Sequence, residues 1–177
     1  MALEATPEEA GLHCSLTGIW EARCRHRWVS VQRGGEEVHS TSVLLDFCGE
    51  DPECAFELLE FRSDPDLATQ FELCVNHTGP HVEDCIGHTV QRWWQEDQTE
   101  EDLMNGARLD VPFPDKMGYF LAASVVCDGI GNCEEAHEDV VPRCLHHVET
   151  LMRNPDTCPS KEKLPMHGDN PDNFIDG

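Results

Sequence analysis

Residues Cys14 to Ala22 have the sequence Cys-Ser-Leu-Thr-Gly-Ile-Trp-Glu-Ala, and this stretch decides the fold that the sequence predicts. Its pattern is that of a first β-strand, with Trp20 buried behind Gly18. An indole has a large apolar surface, so a strand that carries one needs other elements to cover it. The rest of the chain is therefore expected to supply partner strands.

Short apolar runs follow this stretch and are separated by turn residues. Trp28 to Gln32 alternates apolar and polar residues with the period of two that a half-buried strand shows. Further runs occupy 39–47, 55–62, 69–75, 87–94, 107–113 and 117–127, although the alanines of the last run also fit a helix. Together with 16–22 this gives about eight strands in succession, the order of an up-and-down antiparallel barrel.

The pattern changes after residue 133. Apolar residues in 134–153 recur near helical spacing, and Pro142 suits the first turn of a helix. The sequence thus predicts a mainly β fold, an eight-stranded antiparallel up-and-down barrel with a C-terminal helix, stapled by disulfides. We expect this domain to span 13–158, with a mobile acidic tail at 1–12 and a second mobile tail at 159–177.

The chain is strongly acidic. Its 177 residues include 12 Lys and Arg against 35 Asp and Glu, a formal net charge of −23. Such a surface repels nucleic acid and anionic membranes, so neither is an expected partner. Basic proteins, cationic small molecules and divalent ions remain compatible with it. The sequence also contains no run of 18 apolar residues that would cross a bilayer.

The cysteines indicate an oxidising compartment. There are ten, spread along the whole chain, and none of the spacings is the Cys-x-x-Cys of a zinc knuckle. Three pairs each flank a turn that would bring two strand ends within bonding distance, and we predict these disulfides: Cys48 with Cys54, Cys74 with Cys85, and Cys127 with Cys133. The pairing of Cys14, Cys24, Cys144 and Cys158 stays open.

A glycosylation motif agrees with secretion. Asn76-His77-Thr78 is an N-glycosylation acceptor sequence, so Asn76 is the predicted glycan site of a secreted glycoprotein. The first dozen residues are acidic and lack an apolar core, which predicts no signal peptide in this sequence. A secreted protein would then be represented here in its mature form, behind a start Met.

Two stretches resemble a known superfamily. Cys14 to Trp20 resembles the first strand of calycin barrels, where a Gly-x-Trp lies near the start of the strand, and it is more similar to avidins than to lipocalins. Gly87 to Trp94 is similar to the avidin strand that brings a Trp to the ligand pocket. The C-terminal helix and the cysteine set resemble the longer lipocalins, which are the second candidate family. The resemblance implies a closed barrel that holds a ligand in its mouth.

The residues that contact biotin in avidins are replaced here, so the identity of the ligand stays open. Ala22 stands where avidins place an Asn that binds the ureido oxygen, and the stretch that matches the avidin Tyr is His39 to Ser42. Hydroxyl groups in that stretch would still donate hydrogen bonds to a polar ligand, and an indole supplies an apolar wall with one donor. The predicted ligand-binding residues are Trp20, Trp28, Ser40, Thr41, Ser42, Trp93 and Trp94.

Neither metal chemistry nor catalysis is indicated by a motif. The histidines with neighbouring acids have no recognised ligand spacing, so we expect no metal and no cofactor. The candidates considered are His77 with His81, and His137, His146 and His147 with Glu134, Glu135 and Asp139. Gly-x-Ser-x-Gly, His-Glu-x-x-His and phosphate-loop motifs are missing from the sequence. We therefore do not expect an enzyme.

Two functions fit these observations. The first is a secreted, non-catalytic protein that binds a small ligand in the barrel mouth. The alternative is a secreted protein-interaction module, an inhibitor or a host-directed effector, that binds a basic partner through loops and an exposed Trp. Adjacent residues of a strand face opposite sides, so Trp93 or Trp94 should point outward and mark a partner or homo-oligomer surface.

Overall fold

The computed structural model of the chain describes residues 5–32, 39–62, 66–96, 98–159 and 161. Within these ranges the chain forms helices and no β-strand. The predicted mainly β, eight-stranded barrel is therefore wrong, and so is the calycin resemblance, avidin or lipocalin, that supported it. The segments interpreted as strands are helices and their connections.

Nine α-helices make up most of the described chain. They are α1 (Pro7–Ser15), α2 (Glu21–Gln32), α3 (Thr41–Cys48), α4 (Pro52–Phe61), α5 (Leu67–His77), α6 (Val82–Gln95), α7 (Glu100–Ala107), α8 (Pro114–Ala123) and α9 (Val141–Arg153). Short 3-10 turns lie at Gly18–Trp20, Gly79–His81, Cys133–Glu135 and Pro155–Thr157, and a π turn lies at Ser124–Asp128. Neighbours in sequence mostly pack together, and α4 contacts α2, α3, α5 and α6.

Polar side chains set where several helices begin. Thr6 and Glu9 form a capping box at α1, in which each side chain accepts a hydrogen bond from the backbone of the other residue. Asp51 accepts from two backbone N–H groups at the start of α4. Ser40, Asp66 and Thr99 cap α3, α5 and α7 in the same way. The first turns of α1, α4, α8 and α9 contain a proline, whose missing N–H is not needed there.

The core follows helical spacing. In α2 the buried residues are Trp28, Val29 and Gln32, which lie on one face of a helix because they are one and four positions apart. The Trp28 ring packs against Phe47 of α3, with 4.5 Å between ring centroids. The alternation seen in Trp28 to Gln32 is thus the edge of an apolar helical face.

Helices α8 and α9 share the most extensive contact of the fold. Their close approach depends on Gly118, where an added Cβ would lie 2.5 Å from Cβ of Arg143 and 2.9 Å from the backbone nitrogen of Cys144. Helix α9 confirms the predicted C-terminal helix, and Pro142 lies in its first turn as expected.

A half-buried charged group, Arg92, links α6 to α4. The guanidinium of Arg92 donates hydrogen bonds to the backbone oxygens of Leu59 and Glu60 in the last turn of α4, whose carbonyls have no partner inside the helix. Burial lowers the pKa of Arg92, while the carboxylates of Glu60 and Glu96 act in the opposite direction. Arg92 therefore caps the C-terminal end of α4.

The ten cysteines form five disulfides. The predicted pairs Cys48–Cys54 and Cys74–Cys85 are confirmed, but the pair Cys127–Cys133 is wrong. The remaining bonds are Cys14–Cys24, Cys127–Cys158 and Cys133–Cys144. Residues 127–133 are not a hairpin loop: they join the π turn to a 3-10 turn, and each cysteine bonds to a segment further along the chain.

The structure describes more of the first predicted tail, 1–12, than of the second, 159–177. Residues 7–12, expected in a mobile tail, form most of α1, and Ala10 is buried in the core. Of the second tail, 159–177, only Pro159 and Lys161 belong to the described residues. None of the helices in the described ranges combines the length and the hydropathy that a bilayer crossing requires.

Candidate functional site

Four large apolar side chains are exposed together at the end of α1. We call Leu12, Leu16, Ile19 and Trp20 the apolar corner, and their exposed fractions are 67%, 80%, 91% and 57%. A single exposed apolar residue is ordinary on a protein surface. A group within one short stretch is instead typical of a contact surface.

The apolar corner is held in place by its neighbours. Cys14 is fully buried and bonded to Cys24, and the hydroxyl of Thr17 donates to its backbone oxygen at 2.6 Å. Gly18 has a φ of 60°, a left-handed conformation that favours glycine, and it begins the turn that carries Ile19 and Trp20. The buried disulfide thus anchors one side of this segment while its apolar side chains face outward.

An open depression starts directly after Trp20. Glu21, Ala22, Arg25, Cys48, Gly49, Glu50, Asp51 and Pro52 line it. Arg25 is already engaged: its guanidinium donates to Glu21 Oε1 at 2.8 Å and to the backbone oxygen of Phe47 at 3.0 Å. Asp51 is occupied as the cap of α4. The exposed carboxylate of Glu50 has no partner among the described residues, so it is available to a basic group from outside.

The charge around the apolar corner is mixed. Glu8 and Glu9 are exposed on α1, whereas Arg23 and Arg27 are exposed on α2. The charges of these four side chains cancel, whereas the whole molecule has a net charge of −23.

The structure places the other predicted indoles in or against the core. Trp28 is buried, and so is Trp94, whose Nε1 donates to the hydroxyl of Ser124 at 2.9 Å. Trp93 is half-buried beside Gly106, where an added Cβ would lie 2.5 Å from its ring. Neither of the adjacent pair is exposed, because neighbouring residues of a helix can both face the core. The exposed tryptophan is Trp20.

The predicted hydroxyl donors start a helix. Ser40 Oγ accepts from the backbone nitrogen of Val43 at 3.4 Å and lies 3.0 Å from Ser42 Oγ, while Thr41 is the first residue of α3. These groups lie at the start of α3, where Ser40 is the cap. Neither the depression beside the apolar corner nor a smaller cavity of about 170 Å³ near His88 and Lys116 has a tryptophan in its lining.

The glycosylation motif lies at the end of α5. Asn76 is exposed there, so its side chain is accessible to a glycan. Thr78 is fully buried and donates its hydroxyl to the backbone oxygen of Cys74 at 2.7 Å. Thr78 therefore has a structural role, the hydrogen bond to Cys74, that does not depend on glycosylation of Asn76.

Sequence reasoning missed the apolar corner because it assigned Leu16 to Ala22 to a buried strand. Leu12, Leu16 and Ile19 are four and three residues apart, a helical spacing that predicts a buried face and so would not have revealed their exposure. The residue of this stretch that faces the core is Cys14.

The chain was compared with known proteins at three levels. No protein family, no curated protein and no solved structure matches it.

Proposed function

We propose that the protein is a secreted, non-catalytic interaction module that binds a basic protein partner through the apolar corner. The observation that carries this proposal is the joint exposure of Leu12, Leu16, Ile19 and Trp20, at the end of α1 and on the turn that follows it, in a segment anchored by the Cys14–Cys24 disulfide. Disulfides in this number are typical of extracellular proteins. Secretion itself, and a glycan on Asn76, are parts of the proposal.

Burial of the apolar corner would supply the binding free energy. Apolar surface removed from water contributes about 25 cal/mol per Å² before the costs of association. Tryptophan is also among the residue types that most often dominate an interface. Because the disulfide already holds this segment, little further ordering is required when a partner binds.

Charge supports a partner that is a different, basic protein. A net charge of −23 attracts positive proteins over long distances and opposes contact between two copies of this chain. At short range the free carboxylate of Glu50, in the depression beside Trp20, is suited to a Lys or Arg of the partner.

The small-ligand function was predicted together with a barrel that would hold the ligand. It required a barrel mouth, and the described helices form no barrel. Trp28 and Trp94, which were to line that mouth, are buried core residues.

Selection of peptides from a random displayed library tests the proposal. We expect the full chain to enrich peptides that combine Lys or Arg with large apolar residues. Ile19→Asp should abolish this enrichment, since it places a charge at the most exposed apolar position of the corner. Met152→Asp is the matched control because Met152 is 69% exposed on α9, away from the corner, and the charge change is the same.

Two results would overturn it. Either the selected peptides are acidic or purely polar, or the wild-type protein and Ile19→Asp enrich the same sequences. An interface between two copies would show instead as dimerisation of the wild-type protein that Ile19→Asp abolishes.

A further inference from the structure

We propose that Asp110, His137 and Asp139 form a binding site for one divalent transition metal ion, of which Zn²⁺ is the best fit. Each residue offers one ligand atom, and these three atoms all lie within 4.8 Å of one another. Nδ1 of His137 is 3.8 Å from Oδ2 of Asp139, and it accepts a long hydrogen bond, 3.4 Å, from the backbone nitrogen of Asp139, which an ion bound at Nδ1 would replace. This inference does not depend on the proposed interaction function.

Two segments of the chain converge at this cluster. Asp110 follows α7, whereas His137 and Asp139 precede α9. The backbone nitrogen of His137 donates to the backbone oxygen of Ala107 at 2.9 Å, which fixes one segment against the other. The ligand-bearing loops are therefore positioned by the fold, independently of any ion.

Further bonds hold the same junction. Arg108 Nη2 donates to Glu135 Oε2 at 2.9 Å, and the Cys133–Cys144 disulfide ties the segment before His137 to α9. Val111 and Val140, each next to a ligand residue in sequence, are buried. The backbone on both sides of the cluster is thus anchored, while the two aspartate side chains are exposed and free to rotate.

The spacing suits a single ion. Ligand atoms about 2.1 Å from a metal lie about 3 to 4.2 Å from one another, depending on the angle between them. The observed separations are close to this range, so small rotations of Asp110 and Asp139 complete the geometry. Three protein ligands leave a coordination position for water.

The electrostatics of the cluster also favour a cation. In the part of the chain that the structure describes, neither carboxylate pairs with a Lys or Arg, and the nearby Arg108 is bound to Glu135. A metal ion would offset the repulsion between the two aspartates. An imidazole together with two carboxylates suits Zn²⁺, whereas Mg²⁺ and Ca²⁺ prefer oxygen ligands alone.

Only part of this cluster was recognised from the sequence, which predicted no metal. It grouped His137 and Asp139 with His147 and Glu135, but His147 lies 3.3 Å from Asp115, and Glu135 pairs with Arg108. The missing third ligand is Asp110, which is distant in sequence and meets His137 because the end of α7 lies against the segment that precedes α9.

Isothermal titration of the full chain with Zn²⁺ alone tests the site. We expect one site with an affinity at least about tenfold higher than that for Ca²⁺ or Mg²⁺. Asp110→Asn and His137→Asn should each weaken it by about tenfold or more. The matched controls are Glu138→Gln, an exposed carboxylate between two of the ligands, and His146→Asn, an exposed histidine of α9; both should leave it unchanged.

The proposal is overturned if no saturable Zn²⁺ binding occurs, if Asp110→Asn and His137→Asn bind as the wild-type protein does, or if Ca²⁺ binds equally well. Far-UV circular dichroism of each variant identifies loss of the fold. If a variant does not fold, the wild-type protein still provides a test. Zn²⁺ should shift the NMR signals of the His137 ring, and unchanged signals would contradict the site.

Discussion

At the scale of single residues, Asp66 shows how a helix cap makes the stability of the fold depend on pH. Its carboxylate accepts hydrogen bonds from the hydroxyl and the backbone nitrogen of Thr69 at the start of α5. The hydroxyl is the larger of these effects, and both hold the pKa of Asp66 below its usual value of 3.8. A lowered pKa means that ionised Asp66 stabilises the fold above the pKa of the unfolded chain, and that this stabilisation disappears as the pH falls through the folded pKa.

Thr69→Ala is therefore expected to raise the pKa of Asp66 toward 3.8, because it removes the hydroxyl donor and leaves the backbone donor in place. NMR titration of the Asp66 carboxyl carbon measures this pKa directly. Thr150→Ala is the control, since the hydroxyl of Thr150 donates to the oxygen of His146 and does not contact Asp66. An Asp66 pKa that is equal in the wild-type protein and Thr69→Ala would show that the hydroxyl bond has no effect.

At the scale of the helices, the contact between α8 and α9 depends on one missing side chain. Gly118→Ala should destabilise the protein by about 2 kcal/mol or more, because the new Cβ would overlap the backbone of α9 and push the two helices apart. Gly11→Ala is the matched control: its Cβ would meet Phe47 at an ordinary 3.6 Å, and alanine favours a helix.

Urea unfolding of both variants measures the difference. We expect the free energy of unfolding of Gly11→Ala to equal or exceed that of the wild-type protein. If Gly118→Ala unfolds at the same urea concentration as Gly11→Ala, the close packing of α8 on α9 is contradicted.

The helices also explain what the sequence could predict. Helix α9 was predictable because its apolar spacing extends over many residues and Pro142 marks its start. Runs such as Trp28 to Gln32 are too short to distinguish period two from one face of a helix, so the strand interpretation was wrong there. The capping residues could have corrected the strand interpretation, because each stands at the position before a helix. They are Thr6, Asp51, Asp66 and Thr99, and they were interpreted as parts of tails and turns.

The site was less predictable than the helices for a physical reason. Whether Trp20 is buried or exposed depends on which helices pack around it, and that information is distributed over the whole chain. A strand predicted a buried Trp20. In the structure Cys14 of α1 is buried, and the turn that follows leaves Trp20 exposed. The same applies to Asp110, His137 and Asp139, which only tertiary contacts bring together.

At the scale of the whole molecule, two nested disulfides hold α9 and the segment after it. Cys133–Cys144 ties the 3-10 turn before α9 to α9 itself, and Cys127–Cys158 ties the π turn to the segment that follows α9. Mass spectrometry of a non-reducing digest should recover peptides with these two links. A peptide that links Cys127 to Cys133 would contradict the arrangement around α9.

The central claim is that the apolar corner binds a basic partner, and an affinity comparison tests it most directly. Ile19→Asp and Met152→Asp each add one negative charge, so general attraction to a positive peptide is equal in both variants. Fluorescence anisotropy with a basic, apolar peptide selected by the wild-type protein should show binding weakened at least about tenfold by Ile19→Asp and unchanged by Met152→Asp, and added salt should weaken the wild-type complex. Equal affinities for the wild-type protein and both variants would contradict the claim.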